Sequence, residues 1–360
     1  MEQYKKTRKL LINHYKQYPK MEIQDMLKYI FQSSFGCEHM VSSQNFATDY
    51  IKKEYASLTK CDCPLVDPLD GEYSRVYLSY LDKGLSAETL GRIFYLSAKK
   101  EPQGKENLEN KLLILNELVR AGALPFSPSN AEKIINEWVS MGYPAIHHSD
   151  AFRKEYHPAY RVISNKYIWI LPLLAKIDSS LAKGSLTLAI EGGSASGKST
   201  LADTLYEIYG CNVFHTDDFF LRPDQRTPER MDEIGGNLDR ERFLAEVLIP
   251  LKNGSAVNYR KFNCMTKEIE EGIEFLPSKL TVIEGAYSMH PDLSAYYDFS
   301  VYLEISNATQ RERITKRNSP YFAMRFFNEW IPLEEKYFRG MNIKDSCDIV
   351  LTSEQSIEIC

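Results

Sequence analysis

The stretch LTLAIEGGSASGKST, Leu186–Thr200, decides the reading of this chain. Its spacing predicts a short apolar strand, a glycine-rich turn and a helix that begins near Lys198. Gly192 and Gly197, followed by Lys198 and Ser199, meet the Walker A spacing of a phosphate-binding loop (P-loop) without a mismatch. Phosphate oxygens need several backbone N–H groups aimed at them, and only small residues let a chain wrap that closely. The positive end of the following helix dipole adds to the attraction. Phosphate is therefore assigned to Gly192, Gly193, Ser194, Ala195, Ser196, Gly197, Lys198, Ser199 and Thr200. Within the loop, Lys198 is expected to reach the β- and γ-phosphates and Ser199 to ligate Mg²⁺. A glycine-rich surface turn with a chance lysine would not explain the strand before it or the helix after it. The expected ligand is a nucleoside triphosphate, ATP, bound with Mg²⁺.

Working outward, 360 residues suffice for two domains, each with its own core. Hydrophobic residues make up 43% and charged residues 26%, which is ordinary for a globular chain. A formal net charge of −5 speaks against holding a long nucleic acid by general electrostatics. The opening MEQYKKTRKLLINHYKQYPK reads as a charged amphipathic helix without the apolar centre of a signal peptide. No apolar run approaches the roughly 18 residues needed to span a bilayer. Seven scattered cysteines suit reduced thiols, so the expected location is cytoplasmic. Cys61 and Cys63 are the only close pair, and no second pair completes a zinc site.

Residues 1–180 read as a mostly helical accessory domain. Apolar side chains recur at helical spacing in Leu10, Leu11 and Tyr15, and again in Ile23, Met26, Leu27 and Ile30. Further helices are expected over Thr89–Lys99 and Leu108–Leu118, after Ser127 and Pro128, and over Ser164–Ile177. The proline- and aspartate-rich interval from Cys61 to Tyr73 reads as a loop. The pattern changes after a linker at Leu181–Ser185. Short β-branched or apolar runs then alternate with helices: Leu186–Glu191, Asn212–His215, Leu280–Glu284, Phe299–Glu304 and Ile349–Leu351. That alternation predicts an α/β domain over 185–360, with a parallel sheet covered by helices on both faces.

Several residues of this second half carry chemistry. Asp217 and Asp218 close the second run, where acids face the ligand crevice of an open parallel sheet. A phosphoryl transfer to a hydroxyl needs a carboxylate that orients the acceptor and takes its proton. Glu284 ends a buried run and precedes a glycine, a Walker-B-like arrangement suited to the Mg²⁺ shell. Arg313 and Arg317, four residues apart on an expected helix, share one face and suit a clamp on the phosphates.

With these motifs in view, residues 185–352 resemble the superfamily of P-loop kinases that holds uridine kinase, phosphoribulokinase and bacterial pantothenate kinase. The resemblance rests on GGSASGKST, on HTDDFF, on Asn237–Asp239, on VNYRKFN (Val257–Asn263), on VIEGAY and on the arginine helix. It implies that Asp217 is the catalytic base, that Asp239 holds ribose hydroxyls and that Tyr259 touches a base. It also implies that Arg313 and Arg317 reach the phosphates from a lid helix. The chain departs from the pattern where the acceptor is read. Arg240 stands in the place of a histidine, and Arg260 and Lys261 replace a single aspartate. All three add positive charge, so an anionic acceptor is considered beside a nucleoside, with Asp239, Arg240 and Tyr259 as acceptor residues. Trp330 and Tyr337 read as core or hinge rather than as stacking platforms.

In the first half, His39, His147, His148 and His157 stand near Arg153, Arg161 and several acids and tyrosines. Such a set suits a metal or an anionic small molecule if it converges. Residues of a helical core are the simpler reading, because no tightly spaced histidine pair lies on a certain helix. The arrangement resembles one found in longer bacterial uridine-kinase-like proteins, a resemblance that implies no chemistry for this half. The favoured function is ATP-dependent phosphorylation of a small-molecule hydroxyl, uridine or cytidine leading. Sugar-phosphate, pantothenate-like and glycerate-like acceptors stand beside it, as does a nucleotide-gated regulatory protein. Homo-oligomer formation stays open.

Overall fold

A computed structural model of the protein describes residues 2–37, 41–58, 64–98 and 104–352. The chain divides into two compact units, the first ending at Ser179 and the second beginning at Ser180.

The first unit holds the expected helices and, in addition, a sheet. Helices run over Glu2–Gln17, Ile23–Phe35, Gln44–Ala56, Ala87–Ala98, Lys105–Arg120 and Pro128–Ser140. Among them lies an antiparallel sheet of strands β1 (Val66–Pro68), β2 (Tyr73–Tyr77) and β3 (Tyr160–Ser164), with β2 in the middle. The interval read as a loop therefore contains a strand, and Cys61 and Cys63 lie outside the described residues. All five residues of β2 are buried, which erases the in–out alternation by which a strand is recognised. Arg75 sits fully buried at its centre, its Nε donating to Gln32 at 3.0 Å and its Nη1 paired with Asp67 at 3.3 Å. A helix was expected from Ser164, but that residue ends β3 and caps a short helix, Asn165–Ile168. A second helix, Leu171–Leu181, follows with Pro172 in its first turn.

The second unit is built on a five-stranded parallel sheet of order β12-β11-β4-β10-β5. Strand β4 spans Leu186–Gly192 and β5 spans Asn212–His215. Two small hairpins come next in the chain. Strand β6 (Val257–Tyr259) pairs with β9 (Ile273–Phe275), and β7 (Phe262–Asn263) with β8 (Glu268–Ile269). Strands β10 (Leu280–Glu284), β11 (Phe299–Glu304) and β12 (Ile349–Thr352) complete the sheet. All five residues of β10 are buried, as a parallel strand covered on both faces requires. The middle strand β4 feeds the P-loop helix Lys198–Tyr209. Chain direction away from β4 splits toward β10 on one side and β11 on the other, which opens the crevice at its C-terminal end.

Candidate functional site

Strand β4 delivers the phosphate loop into that crevice. At Gly192 the backbone adopts φ 149°, and a Cβ would lie 2.6 Å from the Leu303 carbonyl oxygen, so glycine is required. Ala195 also has a positive φ, 61°, a strained conformation for alanine. The Lys198 ammonium folds back onto the loop and donates to the Gly192 and Gly193 carbonyls at 2.8 and 3.1 Å. The Ser196 hydroxyl is buried without a hydrogen-bond partner among the described residues. A phosphate oxygen would satisfy it, so the loop fits the ligand its spacing predicts.

Strand ends assemble the acids. In the β5–β10 register His215 lies opposite Glu284, and its Nδ1 is 2.5 Å from Glu284 Oε1. The Ser199 hydroxyl donates to the same carboxylate oxygen at 2.9 Å. Burial works to raise the Glu284 carboxyl, but the His215 hydrogen bond and the Lys198 charge prevail and hold it below the usual range. The same hydrogen bond raises His215 against its own burial. A hydroxyl and a carboxylate oxygen are the hard donors that suit Mg²⁺. Among the described residues no three His, Cys, Asp or Glu gather into a metal site. A cation here would therefore complete its shell with phosphate and water oxygens.

Gly285 explains why the two strand ends can meet. Its φ is 139°, and a Cβ there would lie 2.0 Å from Thr216 Oγ1. The Thr216 hydroxyl instead donates to the Ala286 carbonyl at 3.0 Å, locking the segment that carries Asp217 against β10.

The two adjacent aspartates then part company. Asp218 accepts from the Tyr259 hydroxyl at 2.6 Å and pairs with Lys261 at 3.1 Å. Asp217 has no hydrogen-bond partner among the described residues and keeps contact with solvent. Its side chain is exposed, yet desolvation by the surrounding protein pushes its carboxyl up to about 6. Lys198 pulls it down, while Glu284, Glu334 and Asp218 push it further up.

Two helices hold the loop from above. On the helix Asn307–Arg317, Gln310 donates to the Ser194 carbonyl at 2.9 Å and Arg313 to the Ala195 carbonyl at 3.1 Å. Arg317, one turn further, is exposed and lies over the Phe326 ring at 5.5 Å. Only the first of the two arginines is brought to the loop. On the helix Ile331–Gly340, Glu334 accepts from the Ser194 N–H at 2.8 Å and from its hydroxyl at 2.6 Å. Tyr337 of the same helix is fully buried and donates to Glu191 at 2.9 Å, so it belongs to the core as expected. Burial pushes that Glu191 carboxyl up to about 7, against the N–H groups of Met289 and Gly192 that favour its charge.

The acceptor residues are more enclosed than their motifs suggested. Asp239 is buried, caps the helix Arg240–Phe243 through the Arg242 N–H at 3.1 Å, and accepts from Gln225 at 2.9 Å. Tyr259 is 3% exposed and packs among Phe214, Phe219 and Phe275, so its ring offers no open face for stacking. Its hydroxyl orients Asp218 instead. The three extra cations are each paired with acids. Arg240 meets Glu233 at 3.0 Å and Asp292 at 3.2 Å, Arg260 meets Glu246, and Lys261 meets Asp218. The surplus positive charge read from the sequence is thereby spent.

In the other unit, His147 and His157 are exposed, and His39 lies outside the described residues. His148 alone turns inward, 2.7 Å from Asp25 and 2.6 Å from the Tyr160 hydroxyl. Arg153 is exposed and pairs with Asp150.

Residues 187–318 match the family model described as Phosphoribulokinase / Uridine kinase family. The matched segment lies wholly within the second unit. A curated uridine kinase from Shewanella piezotolerans is 28% identical over 137 residues, which are 34% of this chain and 64% of that protein. A solved structure titled as a possible uridine kinase from Bacillus stearothermophilus shares 23% identity, with a TM-score of 0.39. It covers 50% of this chain and 98% of its own. The deoxyadenosine kinase of M. mycoides, solved with bound dATP, shares 16% identity at a TM-score of 0.23 over 47% of this chain and 92% of its own. The matched segment contains the P-loop, the two aspartates that follow β5, the acid that ends β10 and the arginine helix. Gln310 lies inside it and Glu334 outside. Neither of these two, nor His215 or Glu191, carries a signal that sequence spacing assigns to the loop. The nearest to one was Glu191, an acid inside an apolar strand. No helix among the described residues is long and apolar enough to cross a membrane.

Proposed function

We propose that the second unit transfers a phosphoryl group from ATP to a hydroxyl of a small molecule, with a nucleoside such as uridine or cytidine as the favoured acceptor. The observation that carries this reading is Asp217: an unpartnered carboxyl, raised to about 6, at the end of β5 and within the field of Lys198. The acceptor oxygen forms its bond to the γ-phosphorus while its proton passes to the Asp217 carboxylate. The bond to the β,γ-bridging oxygen breaks, and ADP leaves. Lys198 and Arg313 offset the negative charge on the transferred group. Ser199 and Glu284 would hold Mg²⁺, which supplies charge neutralisation on the phosphates. His215 keeps Glu284 ionised for that purpose.

A neutral acceptor is favoured because Arg240, Arg260 and Lys261 are each matched by acids. The curated relative's description as a uridine kinase points the same way. A screen with labelled ATP against nucleosides, sugars, sugar phosphates and pantothenate tests the reading. Transfer to uridine or cytidine, falling at least about 100-fold in Asp217→Asn, is the expected result. Unchanged transfer in that variant would remove Asp217 from the chemistry. A second reading, a nucleotide-gated regulator, is favoured by one observation, the grip of Glu334 on Ser194. A silent panel together with an ATP-dependent shift of the C-terminal helix would select it. We further infer that residues 1–180 and 185–360 are separate domains, each with a core of its own.

A further inference from the structure

The first unit contains a cavity of about 310 Å³ between the helices Ile23–Phe35 and Gln44–Ala56 and strand β3. That is the lower end of the range for small-molecule sites. Its walls combine two features that a packed core does not need. The first is aromatic surface left in water. Phe46 and Tyr50 are each 56% exposed, and their rings lie nearly parallel at the cavity, 6.3 Å apart and inclined by 22°. Exposed stacked rings beside a cavity are suited to a planar ligand.

The second feature is cationic. Arg161 is 7% exposed, and its guanidinium lies over the Tyr50 and Phe94 rings at 5.3 and 5.7 Å. Two of its nitrogens are fixed by the Tyr160 carbonyl at 2.8 Å and by Glu54 at 2.7 Å. Lys28 is half-buried, donates to the Ile146 carbonyl at 2.8 Å, and forms no ion pair among the described residues. Burial pushes its ammonium down to about 8, with Arg75 and Arg153 adding repulsion and Asp25 opposing. An anion beside it would reverse that shift. His148, which also lines the cavity, is pushed down to about 4, chiefly by burial, so it is neutral near pH 7. The cavity's Lys, Arg, Asp and Glu side chains are two basic ones, Lys28 and Arg161, and one acidic one, Glu54.

We propose that this cavity binds a small anion that carries a planar ring, of the size of a nucleoside monophosphate. The ring stacks at Phe46 and Tyr50, and the anionic group is held by Lys28 with Arg161 beside it. This site lies within the first unit and does not depend on the phosphoryl-transfer reading of the second.

The test uses the full chain with the P-loop first saturated by a non-hydrolysable ATP analogue and Mg²⁺, so that binding there is not counted. Phe46→Trp supplies a fluorescent reporter at the cavity mouth. UMP, AMP, inorganic phosphate and uridine are titrated separately. The expected result is a saturable fluorescence change with UMP or AMP, and at least tenfold weaker binding of phosphate and of uridine. Tyr50→Ala and Lys28→Met, each introduced into the reporter chain, should weaken nucleotide binding at least tenfold. Tyr50 is exposed, so its variant keeps the test valid if Lys28→Met unfolds, which its thermal midpoint reports. A silent reporter with both nucleotides, unchanged affinity in Tyr50→Ala, or phosphate bound as tightly as nucleotide would each overturn the proposal.

Discussion

Asp217 accepts a proton only while it is ionised, and desolvation together with its acidic neighbours holds its carboxyl up to about 6. The ionised fraction therefore falls as pH drops through that value. In the proposed reaction kcat/KM should decline with a single-proton slope below pH 6, reaching about one tenth of its plateau at pH 5. A profile flat down to pH 4.5 would show that this carboxyl is not the base. Arg313 and Arg317 make a second test at this scale. They share a helix face, yet only Arg313 touches the loop, while Arg317 rests on Phe326. Arg313→Met should lower kcat by about 100-fold, the scale of losing one aimed donor. Arg317→Met should change it only severalfold. Equal losses would mean that the helix rotates on binding nucleotide.

At the scale of elements, the meeting of β5 and β10 depends on a missing side chain. Gly285→Ala would place a Cβ 2.0 Å from Thr216 Oγ1 at a backbone φ that alanine disfavours. The variant should lose about 1–3 kcal/mol of stability, measured by chemical denaturation, and more activity than that loss explains. Displacing Thr216 moves Asp217 away from Glu284. This half was legible because strands covered on both faces keep continuous apolar runs, as in Leu280–Glu284. The arginine helix, too, fell at Asn307–Arg317 as its spacing predicted. Strand β2 was not legible: Arg75 interrupts its apolar run, and the partners that make a buried arginine tolerable, Gln32 and Asp67, come from other elements. The motifs exposed the loop and its acids, but not the groups that hold the loop. Gln310 and Glu334 lie 116 and 140 residues from Ser194, and no local pattern reports a contact across such distances.

For the whole molecule, each unit has buried apolar residues of its own. Leu27, Ile93 and Leu115 in the first, and Leu188, Phe243 and Ile283 in the second, are fully shielded from solvent. Fragments 1–180 and 181–360, expressed separately, should each unfold cooperatively in calorimetry. A fragment that shows no heat-absorption peak would refute the proposed division.

The grip of Glu334 on Ser194 gives the phosphate loop a resident anion of the protein's own making. In the proposed function an arriving nucleotide would exchange with that carboxylate, and the helix Ile331–Gly340 would yield as it does. Glu334→Gln should tighten nucleotide binding about tenfold in calorimetry, since a charge-assisted bond no longer has to be surrendered. Measured affinity would thus be a difference between two anions competing for one amide and one hydroxyl. Under that proposal the nucleotide threshold would be set at a position 140 residues from the loop, without altering the loop itself.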